Sequence, residues 1–502
     1  MEHQADEVDS RPLPESFAPD GHAVVDALDA YYRESVGGRQ PVIHQERLAR
    51  NIEQLDLATL VREGGLAGPR LETFVRDYLA ATTRLHHPAF LAHQVAAPHP
   101  TGSLASLIDG FTNNAMAICE MGPGAASIEF FVINWMLEKI GWQPAPVEGD
   151  ATAPAVPRDG RAAHAADDPP IGGGVLTHGG SLANLTALLA ARRQVAPDSW
   201  RTGTPNDLVL FAPAVSHYSI ARAAGILGLG QDAVWPLEVD DRGATIAERL
   251  PAVLGAARAA GKRPLAVVAN SCNTPVGAYD PLLPIGEFCR RHGIWLHVDG
   301  AHGASALVSP THRHLLDGIE LADSLTWDAH KMLRAPTLCA ALLVRDHRTI
   351  DAAFQQEASY LFHEKEQPGV DFAQRTVECT KAGLGLKVFM VLAALGERGL
   401  AAYIDHEYAL SQQAYEYLVG QSDVKCAARP EGNILCFRVA GSDTKQLRIR
   451  DALNEEGSFY LSSTVFREQR YLRMVVINPE TSLADIERCV ERVREIAGGI
   501  RD

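Results

Sequence analysis

No apolar run in this chain approaches the ~20 residues that a membrane-crossing helix needs. The opening stretch, MEHQADEVDSRPLPES, is acidic and polar and lacks the basic start and apolar core of a secretory signal, so a cytoplasmic protein is expected. Basic charge is also short: 46 lysines and arginines stand against 62 aspartates and glutamates, a net charge of -16. No surplus remains to neutralise nucleic-acid phosphates or an anionic membrane. The eight cysteines are scattered and form no Cys-x-x-Cys pair, which argues for reduced thiols and against a zinc centre; no metal is expected. The glycine clusters contain neither the dinucleotide fingerprint nor a P-loop Gly-Lys-Ser/Thr, which disfavours NAD and ATP.

What is present suits a large globular enzyme. At 502 residues the chain exceeds a single core, and 46% apolar with 22% charged residues is ordinary composition. Residues 1–110 read as a thin, polar, then helical segment that packs on another subunit. Within it, Arg84 to Gln94 is a histidine-rich, proline-broken loop expected to line a pocket. Residues 111–395 form a large domain, interrupted by a proline- and alanine-rich surface loop at 143–170. There, strand-like runs (Leu208 to Pro213, Val234, Leu265 to Asn270, Ile294 to Val298) alternate with helical ones (from His217, Ile246 to Ala260, Ile285 to Arg291). That rhythm predicts an α/β domain with a mainly parallel sheet. Residues 396–502 read as helix (Ala401 to Val419), strands Ile434 to Val439 and Leu472 to Ile477, and helix (Leu483 to Ala497), a small α+β C-terminal domain.

The chemistry concentrates in Ile294 to Met332. An apolar strand ends on Asp299, and a second apolar segment runs into Asp328-Ala-His330-Lys331. Open α/β sheets bind ligands at the carboxyl ends of their strands. An acid there with a lysine beyond it is what pyridoxal 5'-phosphate (PLP) requires. The lysine tethers the cofactor covalently, and the acid keeps the pyridine nitrogen protonated so that the ring can accept electrons. A capping Asp and a surface Lys are the plain alternative for either residue alone. Upstream, Gly172 to Ser181 leads into a helix, where free N–H groups and the dipole favour an anion such as a phosphate. Ser216-His217-Tyr218-Ser219 and Asn273-Thr274-Pro275 follow strands at the same sheet edge.

These segments appear in one order: Thr177-His-Gly-Gly-Ser181-Leu-Ala-Asn184, Ser216-His217-Tyr-Ser219, Asn273-Thr274-Pro-Val-Gly277, His297-Val-Asp299-Gly-Ala301-His302, Asp328-Ala-His330-Lys331 and Ala358-Ser-Tyr360-Leu-Phe. Together they resemble the group II PLP-dependent amino-acid decarboxylases, from roughly His87 to Pro479. The resemblance implies fold-type I (aspartate-aminotransferase-like) architecture and a homodimer with its active site at the interface. By motif, Lys331 would carry the cofactor, Asp299 would face the pyridine nitrogen, Ala301 and His217 would cover the two ring faces, and Thr274 would lie near the ring substituents. Gly180, Ser181, Asp328 and His330 would hold the phosphate. Arg473 matches the arginine that the family uses near the substrate carboxylate, and Lys331, His217 and Asp299 are the expected catalytic set.

Two departures bear on the reaction. Family members carry a tyrosine on a mobile loop, whereas Leu361 to Gln374 has none; the slot falls at Val370 or Phe372, with His363 as a substitute. Phenylalanine in that slot accompanies oxygen-dependent aldehyde formation in resembling plant enzymes, so an aldehyde synthase is the alternative to a decarboxylase. His93 and His302 occupy substrate-facing positions that are aromatic or amide in other members. They point to a small polar, acidic or diamino acid.

Overall fold

The computed structural model describes residues 17–146, 169–354 and 369–500. A seven-stranded sheet is built from β1 (Gly173–Thr177), β2 (Leu208–Pro213), β3 (Val234–Leu237), β4 (Arg263–Asn270), β5 (Trp295–Asp299), β6 (Ser324–Asp328) and β7 (Ala340–Val344). Its order is β1-β7-β6-β5-β4-β2-β3, with β7 antiparallel to both neighbours and every pairing from β6 to β3 parallel. The sheet is thus mainly parallel, as the sequence rhythm predicts.

Strands of this sheet lack polar alternation because both faces are covered. Val209, Phe211, Val267, Ala269, Leu296 and Val298 enter one core. Their neighbours Leu210, Ala212, Ala266, Val268 and Trp295 enter a second one. This is the two-residue period of a strand read on two apolar faces. The helices expected between strands are present as Ser219–Ile226, Leu250–Ala259 and Leu282–His292.

A second sheet of β8 (Val424–Cys426), β9 (Ile434–Val439), β10 (Ser462–Phe466) and β11 (Gln469–Val475) is antiparallel throughout, in the order β10-β11-β9-β8. Its own core joins Leu435, Phe437, Leu472 and Met474 to Ile449, Leu453, Ile486 and Val490 of the Asp443–Glu456 and Leu483–Gly499 helices. The latter helix starts on a capping box in which Ser482 and Asp485 bond each other's backbone N–H. The helix expected from Ala401 begins earlier, at Leu384, and runs to Val419 with a break at Gly396 (φ 64°, ψ 168°). A left-handed φ is open to glycine at little cost.

The Ala18–Val36 helix is tied to its own chain: the Arg84 guanidinium lies 4.4 Å over the Tyr31 ring and donates to Ser35 Oγ at 3.0 Å. Residues 89–92 run beside the small sheet, where Leu91 N–H donates to Tyr460 O and Leu91 O accepts from Val475 N–H. Most of the 143–170 loop lies outside the described residues, as do Ala358 to Phe362 and His363. Among the described residues, no helix is long and apolar enough to cross a membrane.

Candidate active site

The carboxyl ends of β5 and β6 set the site. Asp299 closes β5, and each of its oxygens already has one donor: Asn184 Nδ2–H to Oδ2 at 3.0 Å and Ala301 N–H to Oδ1 at 3.2 Å. Both donors leave each oxygen a free lone pair. Ala301 follows in the next turn and is buried; its carbonyl accepts the Asp328 N–H.

Asp328 ends β6, and the turn after it carries His330 and Lys331. The Lys331 ammonium lies 3.1 Å from Asp328 Oδ2, and His330 Nε2 lies 3.6 Å from the same oxygen. His330 is pinned at its other nitrogen, which donates to Cys339 O at 2.8 Å. The β1-to-helix turn closes on this cluster. Gly179 takes φ 108°, and a Cβ on Gly180 would stand 2.6 Å from Asp328 Oδ1, so a larger residue would collide with the carboxylate. The Gly180–Val195 helix therefore points its N-terminus, with Ser181 beside it, at the Asp328–Lys331 pair. Asp328 Oδ1 is buried and has no hydrogen-bond partner among the described residues.

His217 is half-buried in the turn before the Ser219–Ile226 helix, and its Nδ1 accepts from Ser219 Oγ at 2.8 Å. Burial chiefly pushes its imidazole below the ordinary histidine range. Asp299 and Asp328 pull it up, and Lys331 and Arg222 push it down. Thr274 sits in the loop after β4, half-buried, and its carbonyl accepts Arg473 Nε–H at 2.9 Å.

Arg473, on β11, brings the small sheet to the site. It is only 6% exposed. Its donors reach Thr274 O, Ala92 O at 3.3 Å and Gln94 Oε1 at 2.9 Å, all neutral acceptors. Among the described residues no carboxylate is paired with it. Burial pulls its pKa down. His93, next to Gln94, is exposed and its Nε2 meets Tyr460 OH at 2.9 Å. His302 is different in kind: it is buried, its Nε2–H donates to Asn433 Oδ1 at 2.7 Å, and its Nδ1 has no partner among the described residues. Burial, then Lys331, hold its pKa down at about 3.

The structure thus brings Asp299, Ala301, Asp328, His330, Lys331, Gly180, Ser181 and His217 to one sheet edge and sets Thr274 and Arg473 beside them. Gln94, Tyr460 and Asn433 join them without having been singled out by sequence, because their contacts come from distant segments. Asn184 was legible in principle: it lies four residues after Gly180, on the same helical face. Phe372 is buried in a core cluster with Met116, Ala126 and Val175, and the Lys381 ammonium lies 5.1 Å from its ring. It is a packing residue, with Val370 against the same cluster. The phenylalanine-slot argument for an aldehyde synthase loses its footing there.

The side chains fit PLP: a carboxyl at the end of β5, an amine just past the end of β6, and a helix N-terminus beside them for the phosphate. The pyridoxal-dependent decarboxylase conserved domain matches residues 73–440. The chain is 30% identical over 454 residues to the acidic amino acid decarboxylase GADL1 of Mus musculus, covering 86% of this chain and 78% of that one. It is 32% identical over 367 residues to the cysteine sulfinic acid decarboxylase of Homo sapiens, covering 72% and 69%. The crystal structure of mouse CSAD superposes with a TM-score of 0.80 at 26% identity over 96% of this chain and 99% of that one. The Oryza sativa TDC crystallised with PLP and tryptamine shares the fold, with a TM-score of 0.83 at 21% identity over 98% and 100%.

Proposed function

Because this chain belongs to the pyridoxal-dependent decarboxylase family, a fold-type I PLP enzyme that removes carbon dioxide from an amino acid, we propose that its substrate carries a second acidic group, a carboxylate or sulfinate. The observation that carries this is the Arg473 guanidinium, buried among neutral acceptors with no carboxylate partner among the described residues. A buried cation is costly until an anion joins it. Gln94, a neutral acceptor on a flexible side chain, is the group such an anion displaces. The names of the relatives point the same way.

When bound, PLP supplies an electron sink for the pair left at Cα as carbon dioxide departs. Lys331 is the residue that would tether it, and Asp299 would accept the N–H of its pyridine ring. Ala301, with no more than a methyl group, and His217 would cover the two ring faces, and Thr274 would lie near the ring substituents. Gly180, Ser181, Asp328 and His330 would hold the phosphate end. His93 lines the substrate's entrance with Tyr460, and His302 shapes the wall from behind. The enzyme works as a homodimer. In support, Leu104, Leu107, Ile108 and Phe111 recur at helical spacing on the Pro100–Thr112 helix, and all are exposed, Phe111 by 68%. A cytoplasmic setting agrees with eight free cysteines, four of them with thiols pushed up to about 11 or 12 by burial. Residues 1–110, 111–395 and 396–502 are the working division of the chain.

A panel of acidic, sulfinic, diamino and aromatic amino acids, with carbon dioxide, amine, aldehyde and hydrogen peroxide measured together, tests the reading. Amine and carbon dioxide from acidic or sulfinic substrates are expected. Preference for an aromatic or diamino acid would refute the substrate class, and stoichiometric aldehyde with peroxide would refute the simple decarboxylation.

A further inference from the structure

Behind the site, polar side chains form an unbroken hydrogen-bonded path through the sheet. Trp295 Nε1–H donates to Ser324 Oγ at 2.9 Å, and the Ser324 hydroxyl donates to His297 Nδ1 at 2.9 Å. His297 Nε2–H donates to Asn184 Oδ1 at 3.0 Å. The Asn184 amide then branches, giving one N–H to Asp299 Oδ2 at 3.0 Å and the other to Ser219 Oγ at 2.9 Å. The Ser219 backbone N–H, which can only donate, points at His217 Nδ1 at 3.3 Å, so that nitrogen is bare and the Ser219 hydroxyl donates to it at 2.8 Å. Trp295, Ser324, His297, Asn184, Ser219 and Asp299 are all buried.

Two members admit one polarity only. An indole nitrogen can only donate, and a carboxylate can only accept. Asp299 forces the amino side of Asn184 toward it, so Asn184 Oδ1 must face His297 and His297 must carry its proton on Nε2. His297 Nδ1 is then bare, so Ser324, which accepts from the Trp295 indole, gives its own proton to that nitrogen. With both ends fixed, every proton on the path has one place.

We infer that Asn184 and Ser219 are positioning residues: through them the sheet interior holds His217 as its Nε2–H tautomer, while the same Asn184 amide holds the Asp299 carboxyl in register. This rests on the reading of His217 and Asp299 as the two groups that face the cofactor. The branch makes those groups one unit, because rotating the amide would break both arms. His217 is faced by Asp299 from β5, Asp328 and Lys331 from the end of β6, and Arg222 from its own helix. These contributions oppose one another, which leaves the Ser219 donors to decide which nitrogen is bare. His297, held at about 4 by burial, stays neutral and keeps the polarity of the path around pH 7.

Three measurements test this. In the cofactor-free protein with ring-15N histidine, subtracting the spectrum of His217→Gln assigns His217, which should be neutral with its proton on Nε2. In the holoenzyme, Ser219→Ala removes a donor that favours the neutral ring, so the acid limb of kcat/KM should move to higher pH by about one unit. Ser219→Thr, which keeps the hydroxyl, should return it. Asn184→Ala should weaken binding of PLP to the cofactor-free protein about tenfold. An Nδ1–H tautomer in the wild-type spectrum would overturn the inference even if the variants fail to fold. So would a folded Ser219→Ala enzyme whose acid limb does not move. The spectrum does not depend on where PLP sits, so it separates a failure of the relay from a failure of the site assignment.

Discussion

Arg473 is the side chain whose environment says most about substrate. Its guanidinium is buried and bonded only to two carbonyls, Gln94 and the edge of Ser462. Arg473→Met should raise KM for an acidic substrate about 100-fold, the cost of leaving a buried anion without its cation. Steady-state kinetics with the best substrate of the panel would show it; an unchanged KM would remove Arg473 from substrate binding. Glu407 offers a test on stability instead. It is buried, both its oxygens lack partners among the described residues, and burial raises its pKa from 4.5 to about 8, with Arg334 pulling the other way. The folded state therefore keeps a proton that the unfolded state gives up between pH 4.5 and 8. Stability from this group is complete below 4.5 and drains away as pH rises to about 8. Glu407→Gln should gain on the wild type across that window, by about 4 kcal/mol at its top, in urea titrations run at a series of pH values. A constant difference would contradict it. Asp299 and Lys331 stood out in sequence at and just beyond the ends of apolar runs, and Arg473 only by its motif. Gln94, Tyr460 and Glu407 were not, since nothing local distinguishes a buried polar group from an exposed one.

Among the elements, the return of the chain at 369–383 carries one buried ion pair that holds it to the core. Lys381 Nζ lies 2.5 Å from Glu129 Oε2 and both side chains are fully buried, with Glu129 Oε1 also taking the Leu176 N–H of β1 at 3.0 Å. Burial pushes the Glu129 carboxyl up, and Lys381 and the Leu176 N–H pull it back. Lys381→Met strands a carboxylate in the interior and should cost about 3–5 kcal/mol, most of it recovered when Glu129→Gln is added. Equal losses in the single and double variants, by denaturant unfolding, would show that the pair is not the support. Strands β2 and β9 could be read to the residue, since each is an apolar run ended by turn-forming residues. Strands β1 and β7 could not. Two of the five β1 residues are glycine, and the five of β7 are too few for periodicity to tell strand from helix.

At the scale of the whole molecule, the alternation of strand and helix was enough for the α/β class, and the ordered motifs were enough for the family. The meeting of the histidine-rich segment with the small sheet, through the Leu91 bonds to Tyr460 and Val475, joins residues hundreds apart and leaves no local trace. The exposed apolar row on the Pro100–Thr112 helix bears on assembly. Leu107→Glu with Phe111→Glu should shift the proposed dimer toward monomer in sedimentation velocity and lower activity in parallel; a monomeric wild type would refute the interface. The claim on which the rest depends is that Lys331 holds the cofactor across from Asp299. Borohydride reduction of the holoenzyme, followed by peptide mass mapping, tests it most directly. The account predicts a pyridoxyl phosphate mass on the peptide containing Lys331. A label on any other lysine, or none on a protein that still decarboxylates, would contradict it.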